Sequence, residues 1–239
     1  MTLAQTFADA LIEAHRSGTR ADAAALQAPD YAQALEIQRR VQATLGPVGG
    51  FKVGTRPEGA PMMAPISAAK VARSGAARTV NGRMGIELEV GLELLTDPVP
   101  DMMANPQRHF RPCVLIEIVD TRLTGADDNA AMKLADMQIN DGMVVGPALD
   151  DWDGSDFGTA TARLTCGETT VVDGPVSVPG GSALKNLALL LDNLGDHCGG
   201  LAKGQIVITG SVSGLAWFPA GTDVDGWIEG LGAVSCRLV

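Results

Sequence analysis

Long apolar runs, paired cysteines and an excess of basic residues are all missing from this sequence of 239 residues. No stretch approaches the roughly 20 consecutive apolar residues of a membrane-spanning helix, and no basic start followed by an apolar stretch marks a secretory signal. The 28 acidic residues outnumber the 18 basic ones, which gives a net charge of -10. Nucleic acids and anionic membranes would repel such a chain. The sequence therefore predicts a small molecule as partner, with no nucleic acid and no membrane.

Cysteine and histidine are scarce. The four cysteines stand far apart without a Cys-x-x-Cys pair, which argues against structural zinc and indicates buried thiols. They are Cys113, Cys166, Cys198 and Cys236. Free thiols and the missing secretory signal predict a cytoplasmic location. The only histidines are His15, His109 and His197, and none lies in a sequence context typical of a catalytic histidine–carboxylate pair.

Acidic residues alternate with apolar residues from Met84 to Leu95. The period of two residues is that of a β-strand, so the apolar side chains share one face and Glu87, Glu89 and Glu93 share the other. Two interpretations are open. The three carboxylates line the wet face of an antiparallel strand, or they face one another around a divalent cation that removes their repulsion.

A fourth glutamate favours the second interpretation. Glu117 stands between Ile116 and Ile118 in another apolar stretch. Apolar neighbours on both sides indicate a buried position, and a buried carboxylate needs a cation or several hydrogen bonds to stay ionised. Carboxylate oxygens suit hard cations of the Mg2+, Mn2+ or Ca2+ type. The residues alone do not identify the ion.

Helical periodicity and short apolar runs divide the chain into two parts. Helices are predicted at residues 3–16, from the cap Asp30 to Gly46, at residues 128–136, and from the cap Ser182 to Gly195. Strands are predicted at residues 51–54, 86–95, 113–122, 143–149, 160–166, 169–172, 206–209, 224–229 and 233–239. We predict an α+β fold, with a helical cap over residues 1–49 and a mixed, rolled β-sheet over residues 50–239.

The segment from Pro57 to Arg83 has weak periodicity and many Gly, Ala and Pro residues. A loop of this length is usually a lid or an assembly arm, so we predict a loop that closes over the metal. Basic residues are concentrated in it and just before it, at Lys52, Arg56, Lys70, Arg73, Arg78 and Arg83. A positive segment of this kind is as typical of an anion-binding site as of a solvated loop surface.

Short motifs in a fixed order resemble the fumarylacetoacetase superfamily, and within it the branch of 2-keto-4-pentenoate hydratases and 4-oxalocrotonate decarboxylases. The matching segments are Gly50-Phe51-Lys52-Val53-Gly54-Thr55, Glu87-Leu88-Glu89, Glu117-Ile118-Val119-Asp120-Thr121-Arg122, Ala135-Asp136 followed by Val144-Val145-Gly146, Thr209-Gly210-Ser211, and Ile228-Glu229-Gly230-Leu231-Gly232. They occur across nearly the whole chain.

The resemblance implies a β-roll core and a role for each matching motif. Mg2+ or Mn2+ would be held by Glu87, Glu89 and Glu117. Lys52 would project into the same cavity as an acid/base or substrate-binding group. The loop Thr209-Gly210-Ser211 would hold the substrate carboxylate, and the chain would form a homo-oligomer. Taken without the resemblance, Lys52 is more typical of an exposed strand lysine, and Thr-Gly-Ser of a turn. Glu93 is left outside the ligand set.

The resemblance also implies a metal-dependent lyase that acts on a small 2-oxo acid. The cation would act as a Lewis acid and stabilise an enolate of the substrate. Hydration of a 2-hydroxypenta-2,4-dienoate is the reaction we predict first. Decarboxylation of a 2-oxo acid and hydrolysis of a carbon–carbon bond in an acylpyruvate are the alternatives among enzymes. A metal-binding assembly subunit with impaired catalysis is an alternative of another class.

Two segments depart from the pattern of the hydratases. Pro65 stands in a segment where they carry an acidic residue, which removes a proton-transfer partner expected for Lys52. Met137, Gln138 and Ile139 follow Asp136, where the hydratases have Asn-Ala-Ser. The second departure predicts a reshaped substrate pocket.

Overall fold

The structure is a computed structural model that describes residues 2–56 and 59–239. Its α-helices are α1 (Leu3–Ser17), α2 (Tyr31–Leu45), α3 (Ala130–Ala135) and α4 (Ala183–Leu194). Its strands are β1 (Ala21–Asp22), β2 (Val48–Gly54), β3 (Met62–Ser67), β4 (Val71–Arg73), β5 (Ala76–Arg78), β6 (Arg83–Leu94), β7 (Phe110–Val119), β8 (Leu123–Thr124), β9 (Asn140–Ala148), β10 (Thr159–Cys166), β11 (Thr169–Ser177), β12 (Ile206–Ser211), β13 (Ala216–Pro219), β14 (Asp223–Ile228) and β15 (Gly232–Leu238).

The strands form two large mixed sheets. The larger has the order β3-β2-β12-β6-β7-β9-β4, and β13 also pairs with β6. The smaller has the order β11-β10-β14-β15-β5. Within these two sheets three strand pairs are parallel, namely β12 with β2, β4 with β9, and β15 with β5. The α+β fold with a mixed sheet that the sequence predicted is confirmed.

The helices begin and end where their capping residues predict. The side chain of Asp30 accepts a hydrogen bond from Gln33 N at the start of α2, and Gln33 returns one to the Asp30 backbone in a capping box. At the start of α4, the side chain of Ser182 accepts a hydrogen bond from Lys185 N. Gly18 ends α1 in the left-handed conformation, which glycine adopts without steric cost.

The alternation along β6 is the feature that positions the site. Its even-numbered residues from Met84 to Val90 pack into the main core between the two sheets, against residues of β7, β10 and β14. The odd-numbered glutamates therefore face the other side of the sheet. A one-residue shift in register would exchange the two sets, so burial of the apolar set fixes the direction of the carboxylates.

The prediction of one long loop over residues 57–83 is wrong for most of that segment. Residues 62–67 form β3, which pairs with β2, and β4 and β5 pair with β9 and β15. Alanine, glycine and proline gave these strands too weak a periodic signal, and their partners lie far away in sequence. Pro57 and Glu58 lie outside the described residues. The segment is thus built into both sheets, which leaves little of it free to act as a lid.

The N-terminal helices pack as one cluster with α3 and β3. The strand β2 begins at Val48, close to the predicted boundary after residue 49. The division into a cap and a catalytic domain stays a prediction. No helix among the described residues is long and apolar enough to cross a membrane.

A buried histidine connects this helical cluster to the turn before β12. His197 is 1% exposed, and its Nε2 lies 2.8 Å from Gln38 Oε1. The amide of Gln38 in turn donates to the carbonyl oxygens of Met63 and Leu134. Burial, reinforced by the charge of Arg39, lowers the pKa of His197 from 6.5 to about 4. The imidazole is therefore neutral in the folded protein at physiological pH.

We expect His197 to make the folded state sensitive to mild acid. The pKa is lower in the folded than in the unfolded chain, so this contribution to stability is present above pH 6.5 and is lost as the pH falls towards 4. Between pH 7.5 and 5.0, the shift corresponds to about 2 kcal/mol of unfolding free energy. Urea denaturation at both pH values measures the free energy of unfolding. The decrease from pH 7.5 to 5.0 should be smaller in His197→Gln than in wild type by about 2 kcal/mol. Equal losses in the two proteins would contradict the assignment.

Candidate metal centre and active site

Three glutamates from two neighbouring strands meet on one face of the larger sheet. Glu87 on β6 is directly opposite Glu117 on β7 in the strand register. Glu89 follows two residues after Glu87, so its side chain emerges on the same face. One carboxylate oxygen from each residue lies within 4.8 Å of the other two. Glu117 is 0% exposed and Glu89 is 2% exposed, which rules out the wet-face interpretation for Glu89.

The two carboxylate oxygens of Glu117 have different surroundings. The ammonium of Lys52 donates to Oε1 at 2.5 Å, and the amide of Asn140 donates to the same oxygen at 2.8 Å. Oε2 is buried and has no hydrogen-bond partner among the described residues. Burying an anionic oxygen without a partner costs free energy. A cation bound at Oε2 would remove this cost.

Burial and mutual repulsion raise the pKa values of the other two glutamates. Burial raises the pKa of Glu89 well above its usual range, and the charges of Glu117 and Glu87 raise it further. Burial and Glu117 also raise the pKa of Glu87, against the opposing effect of Lys52. Burial alone would lower the pKa of Lys52, but the three glutamates raise it overall. The positive charge of Lys52 is therefore not enough to offset burial and repulsion at Glu87 and Glu89.

The donor set fits a hard divalent cation. Mg2+ and Mn2+ take carboxylate oxygens, and Mg2+ usually keeps further positions for water or substrate. Glu87, Glu89 and Glu117 would each supply one oxygen, including the free Oε2 of Glu117. Their assignment as ligands stays a prediction that this geometry supports.

A cavity of about 260 Å³ opens beside the carboxylates. Sites for drug-sized ligands typically measure 300–1,000 Å³, so this cavity suits a small ligand. It is lined by Lys52, Val53, Gly54, Met62, Glu87, Glu89, Lys133, Gln138, Ile139, Pro179, Ile208, Gly210 and Ser211. A larger cavity of about 690 Å³ lies beside the end of α4. We place the site in the smaller one because the carboxylates and lysines meet there.

The end of β12 contributes main-chain and hydroxyl groups to this cavity. Gly210 N donates to Glu89 Oε2 at 2.8 Å. Gly210 has a φ of +116°, and a Cβ there would lie 2.9 Å from Pro179 Cδ, so glycine allows the close approach. A hydrogen bond from Ser211 lowers the pKa of Glu87 against the larger effect of burial. Gly210 and Ser211 thus reach the cavity, whereas the Thr209 hydroxyl is buried against the carbonyl oxygen of Val90.

Of the residues that the sequence singled out, the structure brings together Lys52, Glu87, Glu89, Glu117, Gly210 and Ser211. Thr209 supports the loop without lining the cavity. Glu93 lies further along β6, outside the cluster, and pairs with Arg111 at 2.9 Å. The basic residues after Lys52 do not form one anion-binding surface, because Lys70 and Arg78 lie beside Asp141 and Arg56 lies over Tyr31.

The two departures from the hydratase pattern have different positions. Pro65 lies in β3 opposite Phe51 and is not among the residues that line the cavity. The partner that Lys52 has is Glu117 itself. Gln138 and Ile139, by contrast, line the cavity. The segment after Asp136 therefore shapes the pocket, as the sequence predicted.

Sequence reasoning missed two residues of the site, Lys133 and Asn140. Lys133 lies on α3 and lines the cavity, but a lysine in a helix is usually an exposed residue and gave no signal. Asn140 stands in Asn140-Asp141-Gly142, a combination typical of a turn in which the asparagine side chain binds the backbone. That motif was the available signal, although it does not indicate a contact with Glu117.

Comparison with protein-family models gives no match for this sequence, and comparison with curated proteins gives none either. Solved structures do match. The chain is similar to 4-oxalocrotonate decarboxylase from Pseudomonas putida G7 complexed with magnesium and adipate, with a TM-score of 0.80 and 17% identity over 99% of this chain and 97% of that one. It is also similar to fumarylpyruvate hydrolase from Pseudomonas aeruginosa complexed with Mn2+ and pyruvate, with a TM-score of 0.58 and 16% identity over 79% and 88% of the chains.

These matches define the class of fold. The chain has the same fold as these enzymes, as the resemblance to the fumarylacetoacetase superfamily implied. A further neighbour, 5-carboxymethyl-2-hydroxymuconate delta-isomerase from Mycobacterium smegmatis, has a TM-score of 0.60 at 15% identity over 81% of this chain and 80% of that one. The neighbours thus include a decarboxylase, a hydrolase and an isomerase on one scaffold. Fold alone does not decide among such reactions.

Proposed function

We propose that this protein is a metal-dependent lyase of the fumarylacetoacetase superfamily that acts on a small 2-oxo acid. The observation that carries the proposal is the convergence of three glutamates beside a small cavity, with one buried Glu117 oxygen free of any described partner. The fold-level neighbours complexed with magnesium, calcium or Mn2+ support a divalent cation as the cofactor. We propose Mg2+ or Mn2+, held by Glu87, Glu89 and Glu117.

The bound cation would supply a Lewis acid for the keto oxygen of the substrate. The residues of the chain then have three tasks. Lys52, fixed by Glu117, holds a proton at Nζ and exchanges it with a substrate carbon. The Ser211 hydroxyl and the neighbouring backbone orient the substrate carboxylate. Val53, Met62 and Ile208 form an apolar wall against which the carbon chain of the substrate packs.

Hydration and decarboxylation both pass through an enolate of the substrate, so this site supports either. We retain hydration of a 2-hydroxydienoate as one candidate. Decarboxylation of a 2-oxo acid is the second, and the similarity to 4-oxalocrotonate decarboxylase over 99% of this chain favours it. Hydrolysis through a histidine and a carboxylate has less support, because no histidine is among the residues that line the described cavity.

Metal-dependent turnover is the test of this proposal. The protein is stripped with a chelator, dialysed, and assayed with Mg2+ or Mn2+ against a panel of 2-oxo acids and 2-hydroxydienoates. We expect turnover only in the reloaded protein. Loss of diene absorbance would identify hydration, and release of carbon dioxide would identify decarboxylation. Tight metal-dependent binding without turnover would instead identify the catalytically impaired assembly subunit.

Lys133 extends the proposal to the far end of the substrate. Lys52 is ion-paired with Glu117, whereas Lys133 forms no ion pair among the described residues. A cation that lines the cavity without a carboxylate partner suits a second carboxylate on the substrate. Adipate in the complex of the neighbouring decarboxylase is such a dicarboxylate.

We expect the metal-loaded protein to bind 2-oxoadipate about 10-fold more tightly than 2-oxohexanoate, the size of effect of one charge-assisted hydrogen bond. Lys133→Met should abolish this preference and Lys133→Arg should retain it, as measured by calorimetry. Lys185→Met, which removes an exposed lysine on α4, is the matched control. An unchanged preference in Lys133→Met would exclude this role.

We also propose a cytoplasmic homo-oligomer. The resemblance implies the oligomer, and buried free thiols at Cys113, Cys166 and Cys236 fit a reducing compartment. Burial raises the pKa of each of these thiols to about 12, so they are protonated and unreactive. Light scattering on purified protein decides between a monomer and an oligomer.

A further inference from the structure

The segment from Asp136 to Asn140 contacts both Lys52 and Glu117, and its backbone has an unusual conformation. Met137, Gln138 and Ile139 have φ values of +52°, +53° and +55°. Three successive residues other than glycine in the left-handed region are rare, and a β-branched residue such as isoleucine is the least suited to it. Such a backbone persists only where its surroundings enforce it, commonly at functional sites.

Buried polar contacts hold this left-handed turn at both ends. Ile139 N donates to the Asp136 carbonyl oxygen at 2.7 Å, and Asp120 N donates to the Ile139 carbonyl oxygen at 3.0 Å. The carboxylate of Asp136 is 0% exposed and accepts hydrogen bonds from Arg122 Nε at 2.6 Å and from the Thr121 hydroxyl at 2.9 Å. The turn is therefore anchored to the residues that follow β7, the strand of Glu117.

The turn presents two polar groups to the metal centre. The carbonyl oxygen of Gln138 lies 3.4 Å from Lys52 Nζ. Asn140 Nδ2 donates to Glu117 Oε1 at 2.8 Å, and Asn140 Oδ1 accepts from Gly142 N at 2.9 Å. The second contact fixes which end of the amide faces Glu117. Gly142 has a φ of +123°, and a Cβ there would lie 2.3 Å from the Lys70 carbonyl oxygen, so this arrangement requires glycine.

We propose that Asn140 is a positioning residue of the metal centre. Its amide holds Oε1 of Glu117, so that Oε2 faces the cation. The inference rests on the proposed function, since it takes Glu117 as a ligand. An asparagine suits the task because its amide donates to the carboxylate without adding charge. The left-handed turn is what brings this amide to Glu117.

A double-mutant cycle measured by Mn2+ binding tests the proposal without any activity assay. The apparent Kd is measured by electron paramagnetic resonance for wild type, Asn140→Ala, Glu117→Gln and the double variant. We expect Asn140→Ala to weaken Mn2+ binding about 10–100-fold, as for other residues that orient a metal ligand. In the Glu117→Gln background the same change should add less than about 3-fold, because Asn140 acts through Glu117.

Matched variants separate positioning from general damage to the fold. Gln42→Ala removes another buried amide, which donates to the Gly46 and Pro47 carbonyl oxygens, and should leave the Mn2+ affinity unchanged. Asn140→Ser retains a hydroxyl that can accept from Gly142 N and is too short to reach Glu117. It should show the same loss as Asn140→Ala, and it serves if the alanine variant does not fold.

The outcomes distinguish this inference from the proposed function. Additive effects of Asn140→Ala and Glu117→Gln, or an unchanged affinity in both Asn140 variants, would overturn the positioning role while leaving the metal centre intact. Absence of Mn2+ binding by wild type would overturn the proposed function and, with it, this inference. A loss of Mn2+ affinity in both Asn140 variants that is non-additive with Glu117→Gln and absent from Gln42→Ala supports the proposal.

Discussion

Glu117→Gln is expected to weaken Mn2+ binding more than about 100-fold and to lower turnover with it. The carboxylate is fully buried, and its Oε2 has no described partner, so a ligand bond would be lost and a neutral amide left in its place. The loss in affinity should exceed the roughly 10–100-fold effect of residues that only orient a ligand. Calorimetric titration of the chelator-stripped protein measures the affinity, and steady-state kinetics at saturating metal measures the turnover.

Glu93→Gln is the matched control for this prediction. Glu93 lies on the same strand and makes an ion pair with Arg111, so the change removes one carboxylate from β6 outside the cluster. Loss of a partly exposed ion pair costs about 0–1 kcal/mol of stability, and metal affinity should not change. Equal effects of the two substitutions would refute the assignment of Glu117 as a ligand.

Lys52→Met should leave the metal in place and remove most of the turnover. Methionine fills a similar volume without a transferable proton, and a positioned acid or base typically contributes 10²–10⁴-fold to rate. Lys52 is the only cation hydrogen-bonded to Glu117 in the described part of the chain. We therefore expect kcat to fall by about 10²-fold or more while Mn2+ binds at least as tightly, since a like charge has gone.

The control for Lys52 is Lys203→Met, which changes net charge equally at an exposed position. It should retain both kcat and Mn2+ affinity. If Lys52→Met retained kcat within a few-fold, a different group would have to handle the proton. If it lost Mn2+ binding, its role would be structural support of Glu117.

Local signals in the sequence predicted the parts of the fold that depend on neighbouring residues. The capping residues Asp30 and Ser182 placed the starts of two helices, because a side chain that binds a free amide three residues later acts locally. The strict alternation along β6 placed Glu87 and Glu89 on one face for the same reason. The burial of Glu117 followed from its apolar neighbours.

Local signals could not predict the residues whose roles depend on the order of the strands in the sheet. The strands β3, β4 and β5 lack a clear period and are stabilised by partners distant in sequence. Lys133 and Asn140 reach the centre only because α3 and β9 pack beside β3 and β7. The motifs of the resemblance supplied the long-range information about Lys52 that periodicity could not.

The pairing of Glu87 with Glu117 in register has a consequence for the durability of the protein. Like charges directly opposite each other on adjacent strands weaken the attraction between them, and here the strands are the two at the middle of the larger sheet. An ion bound only by the native arrangement shifts the unfolding equilibrium by mass action. Under the proposed function, the cation would thus stabilise the pairing of β6 with β7 as well as activate the substrate. The thermal stability of the protein would then rise with the concentration of free cation. A shortage of the cation would shorten the lifetime of the folded protein even where no substrate is present.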